Sequence, residues 1–117
     1  MMSTYNFKPH VKGDTFLGAE FRVTDGVNPI DLTDFRIRMH LRRQASQTAA
    51  LIKAFDTNIA DTMEIHDAAD GRFRILRQIV DVPAFDYVYD IEFISPTGRV
   101  RTWLRGKFPV IEEVTYD

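Results

Sequence analysis

Phe35-Arg36-Ile37-Arg38-Met39-His40-Leu41-Arg42 alternates apolar and cationic side chains without a break. Successive side chains of a strand point to opposite faces, so this period of two writes one dry face and one charged face. A helix would scatter the same residues around its circumference. The segment reads as a half-buried strand, and the pattern recurs outward in both directions. Towards the N-terminus, residues 15–24 put Leu17, Ala19, Phe21 and Val23 on one face and Phe16, Gly18, Glu20 and Arg22 on the other. Asp25-Gly26 and Asn28-Pro29 supply turn chemistry after it, and Ile30-Asp31-Leu32-Thr33 leads into the opening strand.

Beyond Arg43, residues 44–50 are small and polar, a loop or one helical turn, and residues 51–55 and 62–66 are short strand candidates. Asp70-Gly71 signals a hairpin into Arg72-Phe73-Arg74-Ile75, with Phe73 and Ile75 inward. Residues 87–93 alternate again, burying Tyr87, Tyr89, Ile91 and Phe93. After the Pro96-Thr97-Gly98 turn, Val100, Thr102, Leu104 and Phe108 form the expected inward set of a last strand. Its expected outward set is Arg99, Arg101, Trp103, Arg105 and Lys107. Many short alternating strands divided by turns indicate an all-β antiparallel sandwich or barrel. An immunoglobulin-like β-sandwich of about seven strands suits the length. With no repeat, linker or low-complexity stretch, residues 1–117 read as one domain.

Composition removes several function classes. The chain has no cysteine, which excludes disulfides, thiolate metal sites and cysteine nucleophiles. Apolar runs are too short for a spanning helix, and the N-terminus lacks the basic-then-apolar layout of a signal peptide. A chain made and folded in a cytoplasm, with no membrane partner, is expected. A net charge of −2 argues against a nucleic-acid grip. Yet 11 of the 15 basic residues are arginine, the cation enriched at protein interfaces.

Motifs for catalysis or metal binding do not emerge. His10, His40 and His66 stand in no paired-ligand spacing, and His40, among outward arginines, reads as a solvated face position. Ser3, Ser46 and Ser95 lie in no nucleophile elbow. Asp14, Asp31 and Asp34 could converge on calcium if their loops share one end of the sandwich. The plainer reading has each aspartate capping its own turn. Lys12-Gly13-Asp14-Thr15 lacks phosphate-loop spacing and leads into a strand, so it reads as a turn. No cofactor and no catalytic residue are expected.

The outward faces carry more. In an immunoglobulin-like order the 87–93 strand lies between the 35–41 strand and the last strand. Asp90 and Glu92 would then be flanked by Arg36, Arg38 and Arg42 on one side and by Arg101 and Arg105 on the other. Cross-strand pairs contribute about 0.2–1 kcal/mol each, so one reading is a salt-bridged solvent face. The other makes these residues, with Trp103, an interface, because tryptophan and arginine dominate binding hot spots. The edge strand at residues 51–55 could also pair with another chain.

A series of phrases runs along the chain: Lys12-Gly13-Asp14-Thr15-Phe16, Pro29-Ile30-Asp31-Leu32-Thr33, Ile37-Arg38-Met39-His40-Leu41-Arg42 and Gly71-Arg72-Phe73. Tyr87-Val88-Tyr89-Asp90-Ile91-Glu92, Gly106-Lys107-Phe108-Pro109-Val110 and Val114-Thr115 complete it. In that order they resemble small tail-associated proteins of bacteriophages and prophages. They are similar in particular to the N-terminal immunoglobulin-like domain of the phage baseplate upper protein family, from about Phe7 to Thr115. The resemblance implies a non-enzymatic structural protein of a virion, in tail, baseplate or neck, with other virion proteins as partners and a multimeric or homo-oligomeric state. The family domain often carries a receptor-binding part, which the 117 residues do not include; an adaptor, plug or decoration subunit is the expectation. The competing expectation is a ligand- or carbohydrate-binding β-sandwich module using Trp103 and tyrosines as a platform.

Overall fold

The computed structural model of the chain describes residues 2–46 and 48–113; the Val114-Thr115 phrase lies outside them. Among the described residues every regular element is a strand. The strict alternation at the centre of the sequence becomes the centre of the fold. Strand β5 (Arg36–Arg42) buries Ile37, Met39 and Leu41 completely and turns its basic residues outward. Strand β10 (Phe85–Ile94) buries Tyr87, Tyr89, Ile91 and Phe93 and pairs antiparallel with β5. Its other neighbour is β11 (Val100–Ile111), joined through the Ser95–Gly98 turn, where Gly98 takes φ +86° and its amide bonds the Ser95 carbonyl at 2.8 Å. The order expected for these three strands is the order observed.

The large sheet runs β1-β11-β10-β5-β6, with β1 (Ser3–Thr4) and β2 (His10–Val11) laid parallel along the outer edge of β11 and β6 (Lys53–Asp56) at the opposite edge. A three-stranded sheet, β4 (Ala19–Arg22), β8 (Arg72–Ile75) and β7 (Met63–Asp67), packs its inner face on the large sheet through Phe73 against Phe93 at 5.4 Å between ring centroids. Phe21 stacks on Phe73 at 5.3 Å, and the hairpin at Gly71 has φ +68°. A small ladder of β3 (Thr15–Phe16) with β9 (Gln78–Ile79) completes the fold. Seven strands have four residues or more, as the alternating pattern indicated; the other four are two-residue pairings.

Two expectations fail, for local backbone reasons. The single strand expected over residues 15–24 breaks at Leu17-Gly18. Gly18 takes φ +96°, and a Cβ there would meet the Ile75 carbonyl oxygen at 2.7 Å. The break shifts the parity. Phe16 turns inward against Phe7 and Phe108, while Leu17 is left 76% exposed, and Ala19 and Phe21 keep their expected inward side. In β11 the register slips between Ile91/Leu104 and Glu92/Thr102, which leaves Trp103 as an extra residue, a bulge. Leu104 and Phe108 face inward as expected. Thr102 instead lies opposite the outward Glu92, and Val100 is 48% exposed.

Candidate functional site

The outward face of the large sheet is a lattice fixed by register. Across it, Val88 sits between Arg42 and Lys107, Asp90 between His40 and Arg105, and Glu92 between Arg38 and Thr102. Directly opposed side chains on neighbouring strands stand about 4.5–5.5 Å apart, so each row is a contiguous set. Two walls turn this face into a groove of about 680 Å³. One wall is Met2, Thr4 and Asn6 of the N-terminal segment, which the Asn6 side chain ties to β11 by accepting the Lys107 amide at 3.0 Å. The other is Gln44, Ala45 and Ser46, in the loop after β5; Arg42 donates from its guanidinium to the Ala49 carbonyl in that loop.

The expected interface residues divide into three groups. Arg38 and Glu92 form an ion pair at 3.0 Å, with both side chains largely covered. Arg36 lies opposite Ile94 and is turned to the sheet edge, where its guanidinium makes a two-bond fork to Asp56 at 3.1 and 2.6 Å. Burial pushes Asp56 up, but the Arg36 bonds, the Asn58 amide and the charges of Arg36 and Arg38 outweigh it, holding the carboxyl below its ordinary value. These pairs are structural.

Arg42, Asp90 and Arg105 form the second group and line the groove together with Lys107. Among the described residues, no ion pair satisfies any of the four. Desolvation, then the charge of Glu92, raises Asp90 above the usual carboxylate value. Desolvation, then Arg38 and Arg42, lowers His40 below its ordinary value, which favours the neutral imidazole. His40 is half-buried rather than freely solvated.

Trp103 and Arg101 are the corrections. The bulge swings Trp103 to the inner side, 4.8 Å from the Phe93 ring and 6.5 Å from Phe35, where it packs against the core. Arg101 lies opposite the inward Phe93, off the charged row. An indole packed on Phe93 offers no flat platform on the charged face.

The remaining candidates resolve into local structure. Asp31 accepts the Thr33 amide at 3.0 Å and its hydroxyl at 2.6 Å, as a turn-capping residue does. Among the described residues, no three acidic or histidine side chains gather closely enough to hold a metal. Residues 12–14 form a turn that leads into β3 at Thr15, with Gly13 at φ +82° and Lys12 paired to Asp81 at 3.0 Å. The Ser46 hydroxyl is engaged with that of Thr48 at 2.7 Å. His66 bonds Glu20 at 2.9 Å at one end of a chain of ion pairs that runs through Arg72 and Asp70 to Arg22, and Arg74 pairs separately with Glu64, on the outside of the small sheet.

Sequence reasoning missed the walls of the groove. Parallel pairing of a two-residue segment a hundred positions away leaves no periodic signal in the chain. Val88 and Lys107 were legible as outward positions, but nothing marked their row as walled.

No protein-family model matches the chain, and no curated protein matches it. Function therefore rests on the site and on the order of phrases in the sequence.

Proposed function

We propose that the protein is a non-enzymatic structural or assembly component of a bacteriophage or prophage virion, in the tail, baseplate or neck, that docks neighbouring subunits through the face and edges of its large sheet. The observation that carries this reading is the walled groove, whose three cations, Arg42, Arg105 and Lys107, lack anionic partners among the described residues. Arginines elsewhere on this surface are matched in ion pairs, whereas these three cations form none, as a surface awaiting an acidic partner leaves them. The resemblance to baseplate modules supports the virion setting, and an immunoglobulin-like topology belongs to that same proposal. The product would be made in the bacterial host and carried in the particle.

The test is direct. Prophage induction in the source strain, followed by density-gradient purification and mass spectrometry of the particles, is expected to find this chain in fixed ratio to the tail-tube protein. Its absence from intact, infectious particles would overturn the proposal.

A further inference from the structure

The outward row of β11 is polarised along its length. Arg105 and Lys107 stand at one end, inside the groove. Pro109 and Ile111 follow, with Ile111 46% exposed, and the acidic Glu112 and Glu113, both exposed, continue beyond the strand. Arg105 and Glu113 are eight residues apart, roughly 26 Å of extended chain. The middle is electrically balanced, because Asp86 lies opposite Pro109 while Lys8 is in the adjoining N-terminal segment. A cationic groove, an apolar centre and an acidic end, along one strand and the two residues that follow it, are self-complementary when the segment is turned end for end. An isologous two-fold contact requires that property, since residue i must suit j while j suits i.

We infer that the occupant of the groove is a second copy of this chain: two copies lie antiparallel along the outer face of β11. Each seats its Ile111–Glu113 segment over Val88 and between Arg42, Arg105 and Lys107 of the other. Val88 gives Ile111 an apolar floor, and the three cations receive Glu112 and Glu113. The charge balance favours self-association over an unrelated acidic partner. The groove carries three cations against the single carboxylate of Asp90 in a chain of net charge −2, so the rest of the same molecule is the acidic surface at hand. This inference deepens the docking role and rests on it for the choice of face.

Sedimentation equilibrium of the full chain tests it. The wild type is expected to be dimeric at about 0.05 M salt and to dissociate at about 0.5 M, where charges are screened within a few ångströms. R105E/K107E and E112K/E113K are each expected to weaken the dimer at least about tenfold while leaving the far-UV spectrum and Tm unchanged. Mixing the two variants is expected to restore dimers. In the mixed pair, both contacts again join opposite charges, one with the original signs and one with the signs exchanged. A wild type that stays monomeric at all concentrations, or a dimer indifferent to both reversals, or a mixture that fails to recover, overturns the inference. None of these results touches the presence of the chain in particles, so the two proposals fail separately.

Discussion

Gly106 shows how tightly one residue can be specified without any special backbone angle. It lies opposite the inward Tyr89, and a Cβ built on it would stand 1.9 Å from the Tyr5 carbonyl oxygen and 2.7 Å from the Tyr5 carbonyl carbon. The Tyr89 hydroxyl donates to that same carbonyl oxygen, and desolvation, then Tyr5, raises the Tyr89 phenol above its ordinary value. Gly106→Ala is therefore expected to push the N-terminal segment off β11 and to cost about 1–3 kcal/mol in urea unfolding, the range for overpacked sites. Arg36 makes a contrasting case. Its guanidinium is partly open to water, but Asp56 is only 4% exposed at its side chain, so the arginine shields a carboxylate that solvent cannot reach. Arg36→Ala removes two of the bonds to that carboxylate, leaving it the Asn58 amide and the more distant Arg38 charge, and is expected to cost about 1–3 kcal/mol. Arg36→Ala in an Asp56→Asn background should cost much less; equal losses in both backgrounds would show that the fork is not the cause.

At the scale of the strand, legibility followed the hydrogen-bond ladder. β5, β8 and β10 alternate without interruption, and their inward and outward sets stand where periodicity puts them. β11 alternates in sequence just as well, but a single bulged residue reverses the faces of Val100, Thr102 and Trp103 relative to Arg105. Nothing in the local composition announces the extra residue. It is set by pairing with β10, a long-range property. The β7–β8 hairpin shows the opposite case, because Asp70-Gly71 signals both the turn and its electrostatics. Hydrogen bonds from Arg22, then Arg72, hold Asp70 down from 3.8 to about 2. A carboxyl whose folded value is depressed adds stability above its unfolded value and loses it as pH falls through the folded one. Wild type should therefore exceed Asp70→Asn in Tm at pH 6, and the difference should shrink between pH 4 and pH 2. A gap of constant size across that range would assign the effect to packing instead of charge.

On the scale of the whole molecule, the N-terminal segment works as a clasp between the sheets. Its backbone bonds β11, with the Tyr5 amide on the Arg105 carbonyl and the Phe7 amide on the Lys107 carbonyl, each at 2.9 Å. The Tyr5 and Phe7 rings turn the other way, into the space between layers. Phe7 meets Phe21 of the small sheet, Phe16 of the β3–β9 ladder, and Tyr89 and Phe108 of the large sheet. One ring thus touches all three sheets, and β11 is spared an open edge of the kind that invites unwanted pairing. The same segment supplies a wall of the groove, so stability and docking are coupled there. Phe7→Ala is expected to cost about 3–5 kcal/mol, as for other buried aromatic truncations. Because backbone bonds to β11 depend on the ring being seated, amide exchange should accelerate at Tyr5 and Phe7 well before it does at Met39 or Ile91 in the centre of the sheet. Uniform acceleration across all four amides would mean that the segment unfolds only with the whole domain and has no separate role as a clasp.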